Sequence, residues 1–249
     1  MTAPYREISY EAPLKTPVEN QAWIAERAGD WRLLIYPGTP ARKYHFERML
    51  RLAPKDLEVV LLARPGFARG HKEAFLNFED QVAAGLPFIE DGRKIVTMGV
   101  SYGGQLALKA LVDHPGKIKG AVTLAALVTE PRDWVHPFLD LGGAPVVRDL
   151  VPRHLHLSRA EIAGRRPQIG PLFEKLKAVD APVTIVHGDA DHLVSRRDAR
   201  QLATYFGPKS DVKFRHVAGG THFLEFQRPN LVYDIVRDVM ARADAMARH

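Results

Sequence analysis

The feature that most constrains this chain is a rhythm of short apolar runs alternating with segments of helical spacing. Trp31–Tyr36, Leu57–Ala63, Lys94–Met98, Ile118–Leu124 and Val183–His187 are rich in β-branched residues and bounded by Gly, Pro or Asp. Such runs read as strands buried on both faces. Val212–Val217 alternates and reads as a strand nearer an edge, and Ile8–Ala12 reads as an edge strand. The rest of the first thirty residues shows no clear pattern. Helices are predicted over about 41–53, 73–84, 102–114, 195–206 and 229–246. In the last, Leu231, Val232, Ile235, Val236, Val239 and Met240 make one apolar stripe. Strand–helix alternation of this kind predicts an α/β fold, a mostly parallel central sheet flanked by helices.

Residues 127–178 break the rhythm. Pro131, Pro137, Pro145, Pro152, Pro167 and Pro171 punctuate apolar residues there, which reads as short helices forming an insertion. The expected organisation is one core domain, residues 1–126 and 179–249, interrupted by that insertion. With 249 residues and 46% hydrophobic content, the chain can bury a core without covalent staples. It has no cysteine, which removes disulfides, a thiol nucleophile and Cys-based zinc sites. This fits a cytoplasmic home, as does a start with no apolar leader segment. No run is long enough to span a bilayer. The net charge of +6 raises nucleic acid as a partner, but Lys and Arg are scattered, without aromatic interleaving, and read as solvated faces. Nothing reads as an oligomer interface.

The chemistry starts at Gly99-Val100-Ser101-Tyr102-Gly103-Gly104. Gly-x-Ser-x-Gly between a strand and a helix is the pattern of a nucleophile elbow, where glycines make room for a very tight turn. A simple turn is the plainer alternative. The Tyr102 N–H, at the helix start, suits an oxyanion. A serine needs a base. Of eleven histidines, His222 stands in a glycine-bearing loop just past the last strand, where a Ser–acid–His order places the base. The preceding strand ends in His187-Gly188-Asp189-Ala190-Asp191-His192. Reach favours Asp191 as the acid and leaves Asp189 to bond loop amides. Glu130 and Asp133 are weaker alternatives, and a metal site on the same cluster is the competing reading.

At this point the chain resembles the α/β-hydrolase family over nearly its whole length. Pro37-Gly38-Thr39-Pro40 is similar to that family's oxyanion loop, and Arg64-Pro65-Gly66-Phe67-Ala68-Arg69-Gly70 to the stretch after the next strand. The elbow and the acid and histidine loops follow in the family's order. The resemblance implies Ser101 as nucleophile, His222 as base, Asp191 as acid, and an oxyanion hole from the backbone N–H groups of Tyr102 and Thr39. It also implies that residues 127–178 are a cap over the site. The sequence departs from the family where Pro37 replaces histidine, Ala63 aspartate, and Ala68 and Gly70 a glycine and a serine. A cis Thr39-Pro40 bond is expected. Serine rather than aspartate at the elbow argues against the family's dehalogenases and epoxide hydrolases.

The expected activity is hydrolysis of a small or medium carboxylic ester through an acyl-enzyme, with no metal or organic cofactor. The alternatives are a C–C bond hydrolase using the same triad on a diketone-type substrate, or a non-catalytic ligand-binding protein. Trp134, Phe138 and Leu139 are candidates for the acyl pocket, with core packing as the plainer role. Basic residues in the insertion suggest attraction of an acidic substrate.

Overall fold

The computed structural model describes residues 4–128 and 152–248. Its strands are β1 (Arg6–Ala12), β2 (Val18–Ala25), β3 (Trp31–Tyr36), β4 (Leu57–Leu62), β5 (Lys94–Val100), β6 (Ile118–Leu124), β7 (Pro182–Gly188) and β8 (Asp211–Val217). They form one sheet in the order β1-β2-β4-β3-β5-β6-β7-β8. The pairs β1/β2 and β2/β4 are antiparallel, and all the others are parallel. The described helices are α1 (Glu47–Arg51), α2 (Phe78–Ala83), α3 (Leu86–Ile89), α4 (Tyr102–Asp113), α5 (Arg153–Gly164), α6 (Arg166–Leu176), α7 (Arg196–Ala203), α8 (Leu224–Gln227) and α9 (Pro229–Met246).

The six runs predicted as core or near-edge strands are β3 to β8. Every residue of β3 and β4 is buried, so neither shows alternation although their side chains alternate between two cores. Leu34, Val60 and Ile95 face the core formed with Leu106 and Leu111 of α4 and Leu172 and Leu176 of α6. Leu33, Ile35, Leu61, Val96 and Met98 face the core formed with α1 and with Val232, Val236 and Val239 of α9. Each such side chain contributes about 1.5–3 kcal/mol by leaving water. Strands clamped from both sides hold their carboxyl ends rigidly, which is what a site built there needs.

Three elements differ from expectation, one of them the helix predicted over 73–84, which is helical only over Phe78–Ala83. The strand β2 was not predicted, because it carries polar residues inward. Asn20 donates to Ala63 O at 2.8 Å and to the Tyr10 hydroxyl at 2.9 Å, and Gln21 Oε1 accepts from the Arg69 amide at 2.6 Å. The helix predicted over 41–53 shrinks to a 3₁₀ turn, Lys43–His45, and α1, since Arg42 is still extended (φ −108°, ψ 116°). The insertion between β6 and β7 contributes α5 and α6, with Pro167 at the opening turn of α6, where a missing N–H is harmless.

Candidate active site

The end of β5 and the start of α4 leave almost no space. A Cβ at Gly99 would lie 2.0 Å from Gly103 O, and one at Gly103 would lie 1.9 Å from Tyr36 O. Between them Ser101 adopts φ 53° and ψ −119°, a conformation that costs a non-glycine residue about 1–3 kcal/mol. Its backbone is tied on both sides: the Ser101 amide donates to Leu124 O at 2.9 Å, and Ser101 O accepts from the amides of Gly104 and Leu127. The serine thus sits on a tight, strained turn at the carboxyl end of a parallel strand, in front of a helix N-terminus.

The loop after β3 comes directly alongside. A Cβ at Gly38 would be 3.2 Å from Ser101 Cβ, so glycine is what lets backbone approach the serine there. Thr39 follows, and its bond to Pro40 is cis. Tyr102 opens α4, so its N–H has no acceptor within the helix. Tyr102 and the Gly38–Thr39 backbone, the segments expected at an oxyanion hole, therefore both lie next to Ser101.

The loops that carry Asp191 and His222 leave β7 and β8. A Cβ at Gly188 would be 2.1 Å from Gly220 O, and the Ala190 amide donates to that carbonyl at 2.9 Å. This close approach brings Asp191 Oδ2 to 2.9 Å from His222 Nδ1. The other carboxylate oxygen accepts the amides of Leu193 (2.7 Å) and Val194 (3.0 Å). Burial alone would raise the Asp191 carboxyl. The His222 hydrogen bond and charge, with the two amides, outweigh it and hold the group below the ordinary carboxylate value. His222 is 7% exposed. With its Nδ1 committed to Asp191, Nε2 is the ring nitrogen left outside that bond.

Asp189 does bond a loop amide, that of Gly219 at 2.6 Å. His187 lies fully buried beside Asp191, with Nε2 3.8 Å from Asp191 Oδ2; burial holds it below the usual imidazole value. Among the described residues no three ligand-type side chains converge as a metal site. Trp134, Phe138 and Leu139, with Glu130 and Asp133, lie outside the described residues.

Sequence reasoning missed two sets of residues. Gln227 of α8 clamps the histidine loop, accepting from the Thr221 amide at 3.0 Å and donating to Gly219 O at 3.2 Å. Arg64, fully buried, pairs with Glu161 of α5 through Nη1–Oε1 at 2.5 Å and Nη2–Oε2 at 3.0 Å. It also donates to Gly38 O at 2.8 Å and lies over the Tyr102 ring at 4.8 Å. Thr39 Oγ1 donates to Glu161 Oε2 at 2.6 Å. One buried ion pair thereby ties the insertion to the loop beside Ser101. The pair is separated by 97 positions, and nothing in either local sequence marks it.

An eight-stranded, mostly parallel sheet with Ser101 on a tight strand-to-helix turn, and with loops carrying Asp191 and His222 at its carboxyl ends, defines a class, the α/β hydrolases. The sequence profile of the Alpha/beta hydrolase family matches residues 33–235, and the chain belongs to that family. Among curated relatives it is 25% identical to an (R)-3-hydroxydecanoyl-ACP:CoA transacylase of Ectopseudomonas oleovorans, over 86% of this chain and 83% of that protein. Its fold is similar to the 2-hydroxy-6-oxo-6-phenylhexa-2,4-dienoate hydrolase of Rhodococcus sp. strain RHA1 (TM-score 0.71, 13% identity, covering 95% and 99% of the two chains). It is equally similar to a thermophilic esterase of Thermogutta terrifontis (TM-score 0.71, 15% identity, covering 96% and 99%). No helix among the described residues is long and apolar enough to cross a membrane.

Proposed function

We propose that the protein is a serine hydrolase that cleaves a small or medium carboxylic ester through an acyl-enzyme. The observation that carries this reading is the 2.9 Å contact of His222 Nδ1 with a fully bonded Asp191, at the same sheet edge as a Ser101 held at positive φ. In this reading Ser101 Oγ attacks the ester carbonyl and its proton passes to His222 Nε2. The amides of Tyr102 and Thr39 bind the oxyanion, and losing one such donor typically costs about 10²–10³ in rate. The C–O bond breaks, and the leaving alcohol takes the proton from Nε2. Water, deprotonated by the same nitrogen, then releases the acid. Asp191 holds the imidazole and offsets its positive charge. Residues 127–178 act as a cap over the site.

A second reading is acyl transfer, in which a thiol or alcohol takes the place of water. The transacylase relative, aligned over 86% of this chain, favours it. The test is labelling by an uncharged fluorophosphonate and turnover of p-nitrophenyl butyrate, with Ser101→Ala and His222→Ala beside wild type. The expected result is labelling and turnover in wild type and loss of both in each variant. Turnover accelerated by an added thiol acceptor supports acyl transfer. Wild type that folds but is neither labelled nor active refutes both readings. Labelling combined with cleavage of a vinylogous diketone, but of no ester, moves the assignment to C–C bond hydrolysis.

A further inference from the structure

On α5, whose buried residues are Leu157, Ser158 and Glu161, the polar side chains His154, Ser158 and Glu161 recur at positions i, i+4 and i+7. Glu161 is committed to Arg64 and Thr39. Ser158 Oγ lies 2.9 Å from Thr39 Oγ1. One turn further back, His154 Nε2 accepts from Arg42 Nη2 at 2.5 Å. Arg42 stands three residues after Thr39, so this contact falls beside the backbone expected to bind the oxyanion. His45, on the same stretch, packs its ring 4.8 Å from Phe223, the residue after His222, whose own ring lies 5.2 Å from that histidine. Arg42, His154 and His45 thus border the Ser101 site from the core and from the insertion. All three are half-buried.

Among the described residues the group has no counter-charge. The only carboxylate on that face of α5 is Glu161, which Arg64 already neutralises. Glu47, near in sequence, pairs with Lys43 at 3.2 Å and accepts from the Tyr5 hydroxyl. Asp191 is held by His222 and two amides. Among the described residues the Arg42 guanidinium hydrogen-bonds only the His154 imidazole, and burial together with that guanidinium keeps both histidines below the usual value, hence uncharged near neutrality. A permanent cation stripped of part of its water, with no acid beside it, favours a ligand that supplies one.

We propose that Arg42, assisted by His154 and His45, is an anion subsite, and that the substrate is an ester or thioester carrying a carboxylate or phosphate. The assignment rests on Ser101 being the nucleophile of the neighbouring site. Two matched pairs of substrates separate the sources of charge. An anion on the acyl group is read by p-nitrophenyl hydrogen glutarate against p-nitrophenyl valerate. An anion on the leaving group is read by butyryl-4′-phosphopantetheine against butyryl-pantetheine. A charge-assisted contact corresponds to about a 10- to 100-fold higher kcat/KM for the anionic member of one pair. That ratio falls towards one in Arg42→Met and is partly kept in Arg42→Lys. In wild type, with no variant needed, the ratio falls as ionic strength rises from about 0.02 to 0.5 M, while the neutral member stays flat. A ratio near one in both pairs, or one unchanged by salt and by Arg42→Met, overturns the subsite. Uncharged fluorophosphonate labelling of the same preparation separates this failure from that of the site itself. A labelled wild type without anion preference loses only the subsite, whereas an unlabelled one loses the hydrolase reading and the subsite with it.

Discussion

Replacing Glu161 by glutamine tests whether the buried ion pair both stabilises the fold and positions the site. The side chains of Arg64 and Glu161 are 0% and 1% exposed and meet through two hydrogen bonds. Glutamine keeps the shape but leaves the guanidinium without a counter-charge in a dry environment. Breaking one partner of such a pair costs about 3–5 kcal/mol. At about 2–4 °C of Tm per kcal/mol for a chain of this size, the expected drop is about 6–20 °C. A typical total stability of about 5–15 kcal/mol leaves the variant folded at low temperature, where it can be assayed. Replacing both partners, Arg64→Met with Glu161→Leu, removes the charges together and recovers most of the Tm. It does not recover rate, because Gly38 O and Thr39 Oγ1 still lack the partners that fix the loop beside Ser101. The measurements are thermal unfolding and p-nitrophenyl butyrate kinetics, with kcat reduced about 10-fold or more and KM little changed. A Glu161→Gln protein within about 1 kcal/mol of wild type refutes the energetic argument. A double variant with wild-type kcat refutes the positioning argument.

Three further predictions concern burial and space. Glu225 is 1% exposed, and burial pushes its carboxyl up to about 8. The folded chain keeps this proton after the unfolded chain, with an ordinary value near ~4.3, has lost it. The associated stabilisation is therefore complete below that value and gone once pH passes about 8. Glu225→Gln is expected to match wild type below about pH 5 and to unfold a few degrees higher at about pH 8–9; parallel Tm–pH curves would contradict this. Gly188→Ala drives a Cβ to within 2.1 Å of Gly220 O and is expected to cost more than about 2 kcal/mol. Gly170→Ala, in α6 with nothing within 4 Å, is expected to gain about 0.5–1 kcal/mol in the same denaturant titration.

What could be read in the sequence follows from how local the causes are. The runs that became β3 to β8 are apolar because both faces are covered, and that alone makes them legible. The elbow is legible because its pattern is short and one of its glycines answers to a local contact, Gly99 against the backbone of Gly103 and Gly104, although Gly103 itself makes room for Tyr36 O on the neighbouring strand. The choice of Asp191 over Asp189 needed only a sense of reach, and Asp191 is the one beside His222. The strand β2 was hidden because Asn20 and Gln21 are satisfied by partners 43 and 48 positions away. Arg64, Glu161 and Arg42 were hidden for the same reason, since their meaning exists only once α5 is laid on the loop after β3. Trp134, Phe138 and Leu139 remain pocket candidates on sequence grounds alone.

The insertion's hold on the loop beside Ser101 has a consequence for engineering. Exchanging lids between hydrolases presumes that core and lid are interchangeable parts. Here the sheet's loops keep a buried arginine whose only carboxylate among the described residues comes from α5. A foreign segment in place of α5 would leave that arginine bare unless it brought an acidic residue to the same turn. Conversely, α5 moved to another core would bury an orphaned glutamate. The two segments therefore have to be transplanted, or diversified, as one unit.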